Sequence, residues 1–176
     1  MFYFGSNTKR DLSVTSHHAV VTTALRLATE FKDAQLFLLP TMPLFTSLKA
    51  RATGSRLWIG NQTVSETSGR DITGEVSAQL LKSLQSNLVM IGHAERRQLF
   101  DDDNSVVAQL EQAALSRLRI LYCVGESQVK KDLKESAEFL KIEPMIRAKL
   151  TEQRVKDISK DWFSREYQNY YIKLFD

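Results

Sequence analysis

Two short clusters in this chain carry side chains that could bind an oxygen-rich anion and donate a hydrogen bond from a neutral imidazole. The first is Gly92-His93-Ala94-Glu95-Arg96-Arg97, entered from the apolar run Leu88-Val89-Met90-Ile91. That run is continuous rather than alternating, as expected of a strand buried on both faces of a parallel sheet. Gly92 permits a tight turn, which leaves His93 where a strand hands over to a helix. If Glu95 to Phe100 opens that helix, the free backbone N–H groups of its first turn point back at His93. Their field disfavours imidazolium and favours a neutral ring able to donate a hydrogen bond. The ordinary alternative is a buried histidine at a turn. The second cluster is Asn7-Thr8-Lys9, behind the apolar start Phe2 to Phe4. In extended backbone Asn7 and Lys9 point the same way, and an amide beside an ammonium suits an anion; a solvated loop is the competing reading.

Other reactive side chains read as structural. His17 and His18 are adjacent on a helix, so they cannot face one metal together, and they are expected at the surface or its boundary. Asp101-Asp102-Asp103 is too tightly spaced for a metal site and is expected to be a solvated helix start with N-cap chemistry. No metal site is expected.

The elements that must position these groups alternate. Ser13 to Phe31 has helical apolar spacing through Val14, His17, His18, Val21, Ala24, Leu25 and Ala28. Ala34 to Leu39 is a second buried-type strand, stopped by Pro40 and Pro43, and Leu44 to Ala52 is a short helix. Arg56 to Asn61 is a third strand. Thr63 to Thr73 is a polar, exposed loop whose length suggests function, and a helix from Ala78 to Leu84 precedes the strand at Leu88. A helix from Ser105 to about Arg117 leads to a fifth strand, Arg119 to Val124, followed by Gly125-Glu126. At least three strands end in glycine and a polar residue. This rhythm predicts repeated βα units around a parallel sheet whose working face lies at the strand C-termini. After Glu126, Lys130 to Leu150 reads as amphipathic helix, and residues 151–176 offer no buried-type strand, only a charged, aromatic helix or loose tail.

The totals narrow the classes. A chain of 176 residues, 43% hydrophobic and 26% charged, with seven glycines and three prolines, suits one globular domain. A net charge of +3 allows anionic small molecules but is too diffuse to argue nucleic-acid binding. The single cysteine, Cys123, rules out an internal disulfide framework. With no signal peptide and no apolar run near the ~20 residues that span a bilayer, a soluble cytoplasmic protein is expected.

Four blocks, in order, resemble the triose-phosphate isomerase family, whose fold is the (β/α)8 barrel. Asn7-Thr8-Lys9 resembles its Asn-x-Lys substrate site, and Thr73-Gly74-Glu75-Val76-Ser77-Ala78 its Thr-Gly-Glu-(Ile/Val)-Ser-Ala block. Ile91-Gly92-His93-Ala94-Glu95-Arg96-Arg97 is similar to its Ile-Gly-His-Ser-Glu-Arg-Arg signature, and Cys123-Val124-Gly125-Glu126 to its Cys-(Ile/Val)-Gly-Glu. The resemblance implies interconversion of dihydroxyacetone phosphate and glyceraldehyde 3-phosphate, a step of glycolysis and gluconeogenesis, with no cofactor. It implies that Lys9 and Asn7 bind the substrate's anionic oxygens. It implies that His93 is the neutral electrophile, the established device of that enzyme. Glu95, Thr73, Cys123 and Glu126 would form the surrounding network. The loop 61–77 would insert into a second subunit, making a homodimer without nucleic-acid or membrane partners.

The same resemblance marks what differs. Thr8 stands where the family usually has Trp, and Ala94 where it usually has Ser. The family's base is a glutamate in a Tyr-Glu-Pro-Val-Trp-type block, followed by a lid and two phosphate-gripping loops, and no such block is evident. Ile142-Glu143-Pro144-Met145 carries the only comparable Glu-Pro, but Glu143 lies too soon after Cys123 to leave room for a fifth helix. A full barrel takes eight βα units and typically ~250 residues. The expectation is therefore an α/β partial barrel of about five parallel βα units over 1–140, with a divergent helical or irregular segment over 141–176. By this reading the chain is a truncated relative with weak or no activity. The alternatives are a non-catalytic sugar-phosphate-binding or dimerisation module, and an assembly in which another chain completes the barrel.

Overall fold

The computed structural model describes residues 2–69 and 72–124, and the backbone of 171–175. The chain divides into two units, the first of which holds the described residues up to Cys123 together with residues 172–175. The first unit is an α/β arrangement in which parallel strands alternate with helices in the connections.

β1 (Phe2–Asn7) pairs in parallel with β2 (Ala34–Leu39), in a register that sets Phe2 beside Ala34 and Asn7 beside Leu39. Every residue of β2 is buried, which is why its sequence is an unbroken apolar run around one glutamine. That glutamine, Gln35, is satisfied by donating to the Leu36 and Arg56 carbonyls. Gly5 sits beside Phe37, and a Cβ there would lie 2.1 Å from the Phe37 ring, so the ring occupies space that only glycine leaves. Between the two strands, α1 (Val14–Glu30) starts at Ser13, whose hydroxyl accepts the Ser16 amide, a cap typically worth ~1 kcal/mol. Its buried stripe of His17, Val21, Ala24, Leu27 and Ala28 follows helical spacing.

α2 (Met42–Arg51) begins at a proline-bearing first turn and leads to β3 (Trp58–Ile59), the shortest strand, parallel to β2. It is shorter than the six residues expected from sequence. The chain nevertheless keeps its course: Asn61 bridges in parallel to Val89, with its amide on the Leu88 carbonyl and its carbonyl on the Met90 amide. β4 (Val89–Ile91) pairs in parallel with β5 (Ile120–Val124). α3 (Ala78–Ser83), α4 (Ala94–Leu99) and α5 (Asp103–Leu115) occupy the connections around β4. The strands make two three-stranded sheets, β1-β2-β3 and β4-β5-β6, where β6 is Tyr171–Phe175. β6 adds a strand to a segment read from sequence as a charged, aromatic helix or loose tail: YIKLF is only five residues long, with one lysine between two pairs of apolar or aromatic residues, too short a run to stand out beside the aromatic residues before it.

One core cluster gathers Val64, Ala78, Leu81, Val89, Ile91, Val106, Ala113 and Leu118. Val64 and Ser65 are buried and Ser65 donates its amide to Val76. The base of the 63–73 loop is therefore anchored in the core, contrary to the exposed loop expected, while Glu66, Ser68 and Gly69 face solvent. Among the described residues, no helix is long and apolar enough to cross a membrane.

Candidate active site

Because the described pairs are parallel, the C-terminal ends of β1 to β5 lie along one edge, and the chemistry-bearing residues gather there. β1 ends at Asn7, and two residues later Lys9 adopts φ 53°, the left-handed region that non-glycine residues seldom enter. The Asn7 Oδ1 accepts the Lys9 amide at 2.9 Å, an Asx turn. The strand alternation expected for Asn7 and Lys9 therefore ends at Asn7, whose side-chain oxygen bonds backbone instead of pointing alongside Lys9. The turn sends the Lys9 ammonium across to Glu95, 86 positions along the chain, at 2.6 Å from Oε1. Both side chains are well exposed, so the pair adds little to stability. Its effect is to bring the loops after β1 and β4 together.

β4 delivers His93 through Gly92, at φ 77°. A Cβ on Gly92 would approach the Cys123 carbonyl to 3.1 Å, so glycine answers both a backbone and a packing demand. His93 is the N-cap of α4, and its Nδ1 accepts the Glu95 amide at 3.3 Å. An amide can only donate, so Nδ1 holds the lone pair and the neutral ring carries its hydrogen on Nε2. His93 is 7% exposed. Burial pushes its pKa down, the Glu95 charge opposes that, and the Lys9 charge adds to it. The Glu95 carboxylate lies 3.8 Å from Nδ1, too far for a hydrogen bond. Its own pKa is held below the usual carboxylate value first by the Lys9 hydrogen bond, against burial. The edge thus presents an ammonium, a carboxylate and a neutral imidazole donor, a set able to bind an anion and polarise a carbonyl.

Both arginines behind this histidine fix the helix it caps. Arg96 grips Asp101 through two bonds of 2.7 Å. Arg97 reaches the Gly92 carbonyl, the Asp103 carboxylate and the Tyr122 hydroxyl. Asp101 is 5% exposed, so the solvated start expected for the three acids holds only in part: Asp102 caps α5 on the Ser105 amide at 2.8 Å, while its neighbours pair with arginines.

The other expected site residues divide. Thr73 is exposed in a turn. Cys123 is buried against Phe37, Leu39, Leu88, Met90 and Leu121, and burial pushes its thiol up to about 11, against a smaller lowering by Arg97. It is a core thiol. Glu126, Glu143 and the expected helix 130–150 lie outside the described residues.

Two site neighbours were not expected there from sequence. Gln62 follows the bridge at Asn61 and donates from Nε2 to both the Lys9 and Leu39 carbonyls at 3.0 Å; its one signal was position, just past a strand end. His17, expected at the surface or boundary, is fully buried. Its Nδ1 lies 3.0 Å from the Ser13 carbonyl and its Nε2 2.8 Å from the Thr8 hydroxyl, so it ties the loop after β1 to α1. Beside the site, Ser65, Arg96, Asp101 and Gln109 help line a pocket of about 320 Å³. The large apolar side chains Ile72, Leu99 and Phe100 stand exposed nearby in sequence.

Residues 2–163 match a family model described as triosephosphate isomerase. The triosephosphate isomerase of Pseudoalteromonas translucida is 38% identical over 97 residues, covering 54% of this chain and 37% of that protein. That of Magnetococcus marinus is 30% identical over 129 residues, covering 72% of this chain and 51% of the relative. The chain thus spans about two-fifths to one-half of these curated relatives. A crystal structure of triosephosphate isomerase from Bartonella henselae superposes with a TM-score of 0.65 at 24% identity, over 74% of this chain and 54% of that one, which speaks to fold alone.

Proposed function

The chain belongs to the triosephosphate isomerase family, and on that premise we propose that its strand-end cluster binds a phosphorylated three-carbon aldehyde or ketone. In this reading the strands of the two sheets are part of a (β/α)8-type barrel, in line with the Bartonella likeness. The observation that carries it is the Lys9–Glu95 contact of 2.6 Å beside a buried, neutral His93. Lys9 neutralises the substrate's negative charge, with Asn7 holding the Lys9 turn. His93 donates from Nε2 to the carbonyl oxygen, whose developing negative charge is stabilised by a preorganised donor. Because the ring is neutral it polarises the carbonyl without surrendering a proton to Glu95. Thr73, Cys123 and Glu126 are carried over as network residues from the family resemblance alone.

Isomerisation also needs a base to take the proton next to the carbonyl, a contribution typically of ~10²–10⁴-fold. The 176 residues contain no Tyr-Glu-Pro-Val-Trp-type block, so we propose that this chain by itself binds such a substrate with little or no turnover. A coupled isomerase assay tests this, with wild type beside His93→Gln and Glu143→Gln. Rates at the buffer level in all three are expected. Turnover lost in both variants would make Glu143 the base and refute the weak-activity reading.

A second reading concerns association. Leu99 and Phe100 are 71% and 73% exposed and Ile72, within the 61–77 loop, is 42% exposed, large apolar side chains that a second subunit could cover. We propose a homodimer through loop 61–77, which sedimentation of the purified chain would report as a dimer. A monomer at all concentrations would remove this reading.

A further inference from the structure

We propose that Gln62 is the positioning residue for Lys9, its amide clamping the left-handed Lys9 backbone so that the ammonium is presented to Glu95. Lys9 sits at φ 53°, a conformation an L residue keeps only when its surroundings over-determine it. Two side chains do so here. Asn7 Oδ1 accepts the Lys9 amide at 2.9 Å, and Gln62 Nε2 donates to the Lys9 carbonyl at 3.0 Å. The second Nε2 hydrogen goes to the Leu39 carbonyl, also at 3.0 Å, where the Thr8 amide arrives at 3.1 Å. Gln62 therefore pins the turn after β1 to the end of β2, from a position just past β3.

The amide orientation is fixed by this geometry. Both partners are carbonyl oxygens, so only the NH2 end of Gln62 can face them. The link to Lys9 runs through its backbone carbonyl, so a change at Gln62 reaches Glu95 by moving Lys9. The importance for ligand binding rests on the sugar-phosphate reading above; the positioning itself does not.

The test is Gln62→Met, which keeps side-chain length and removes both donors without adding a charge that would itself move a titration. Thr63→Val serves as control, since among the described residues the buried Thr63 hydroxyl has no partner. The primary readout is the carboxyl titration of Glu95 by carbon-13 NMR. In wild type the Lys9 hydrogen bond holds it low. In Gln62→Met it is expected to move up towards the ordinary glutamate value, and in Thr63→Val to stay. A folded Gln62→Met with an unmoved Glu95 titration overturns the proposal, because a purely structural glutamine would lower stability and leave Glu95 alone. Should Gln62→Met fail to fold, Gln62→Asn supplies the same readout: it keeps the amide but is one methylene too short to span both carbonyls.

Calorimetry with dihydroxyacetone phosphate is the second readout. Affinity is expected to fall roughly five- to tenfold in Gln62→Met, the weight of one neutral hydrogen bond. Wild type that binds nothing defeats the sugar-phosphate reading, while the Glu95 titration still decides the role of Gln62.

Discussion

Raising the pH offers a quantitative check on the burial of Cys123. Its thiol is pushed from 9.0 up to about 11, chiefly by burial, so the folded state refuses to ionise where the unfolded chain does so readily. A pKa raised on folding gives stability that is complete below the unfolded value and is lost as pH climbs through the folded one. The window is therefore about pH 9 to 11. Each unit of difference is about 1.4 kcal/mol, so at pH 10 the protein should have lost about 1.4 kcal/mol through this group, and about 2.7 kcal/mol once both states are ionised. Lysines and tyrosines titrate nearby, so the comparison is with Cys123→Ala, in which their contributions persist and the thiol's does not. Urea unfolding of both proteins at pH 7 and pH 10 gives the difference directly. Cys123→Ala should be the less stable at pH 7, by about 1 kcal/mol for the lost sulfur contacts, and the gap should close or reverse by pH 10. Parallel losses in the two proteins would refute the reasoning and mean that the thiol is accessible to water.

Two other perturbations probe the frame that holds the site. Gly60→Ala puts a Cβ 2.5 Å from the Leu88 carbonyl and 2.5 Å from the Leu88 Cδ2, where the Asn61 amide bond to the same carbonyl leaves the backbone little room to yield. A loss of about 3 kcal/mol in urea unfolding is expected from such overpacking, and a change within about 0.5 kcal/mol would contradict the strand placement. Asp101→Ala leaves Arg96 without its two short bonds. Arg96 is 27% exposed and can regain some water, so about 2–3 kcal/mol is expected rather than the full penalty of a buried orphan charge. The double variant Arg96→Met, Asp101→Leu should recover part of that loss, and additive losses in the cycle would count against a coupled pair.

Most of the α/β frame was legible because buried parallel strands write themselves as apolar runs, as in Ala34 to Leu39, and because Gly92 marks a turn that only glycine fits. That His93, Lys9 and Glu95 meet was foreshadowed by residue types at strand ends and by the family blocks; their roles are the proposal made above. Gln62 was not, because its part depends on two carbonyls from distant loops, and backbone acceptors leave no trace in residue identity. His17 was misplaced for a related reason: a histidine on an apolar face reads as a boundary residue until the Thr8 hydroxyl and Ser13 carbonyl that satisfy it are known. Asp101 was read with its two neighbours as one solvated group, yet a shift of one residue aims it at Arg96 and into the interior. The strand at Tyr171–Phe175 was hidden by brevity, since five residues give periodicity almost nothing to work with.

The most direct test of the site is calorimetric titration of dihydroxyacetone phosphate into wild type and into Lys9→Met. Saturable binding is expected in wild type, with a loss of at least about tenfold in affinity when the ammonium is removed, the scale of a charge-assisted hydrogen bond. Equal affinity in the two proteins would contradict this assignment, because the anion would then be held somewhere other than the edge where Lys9, Glu95 and His93 meet.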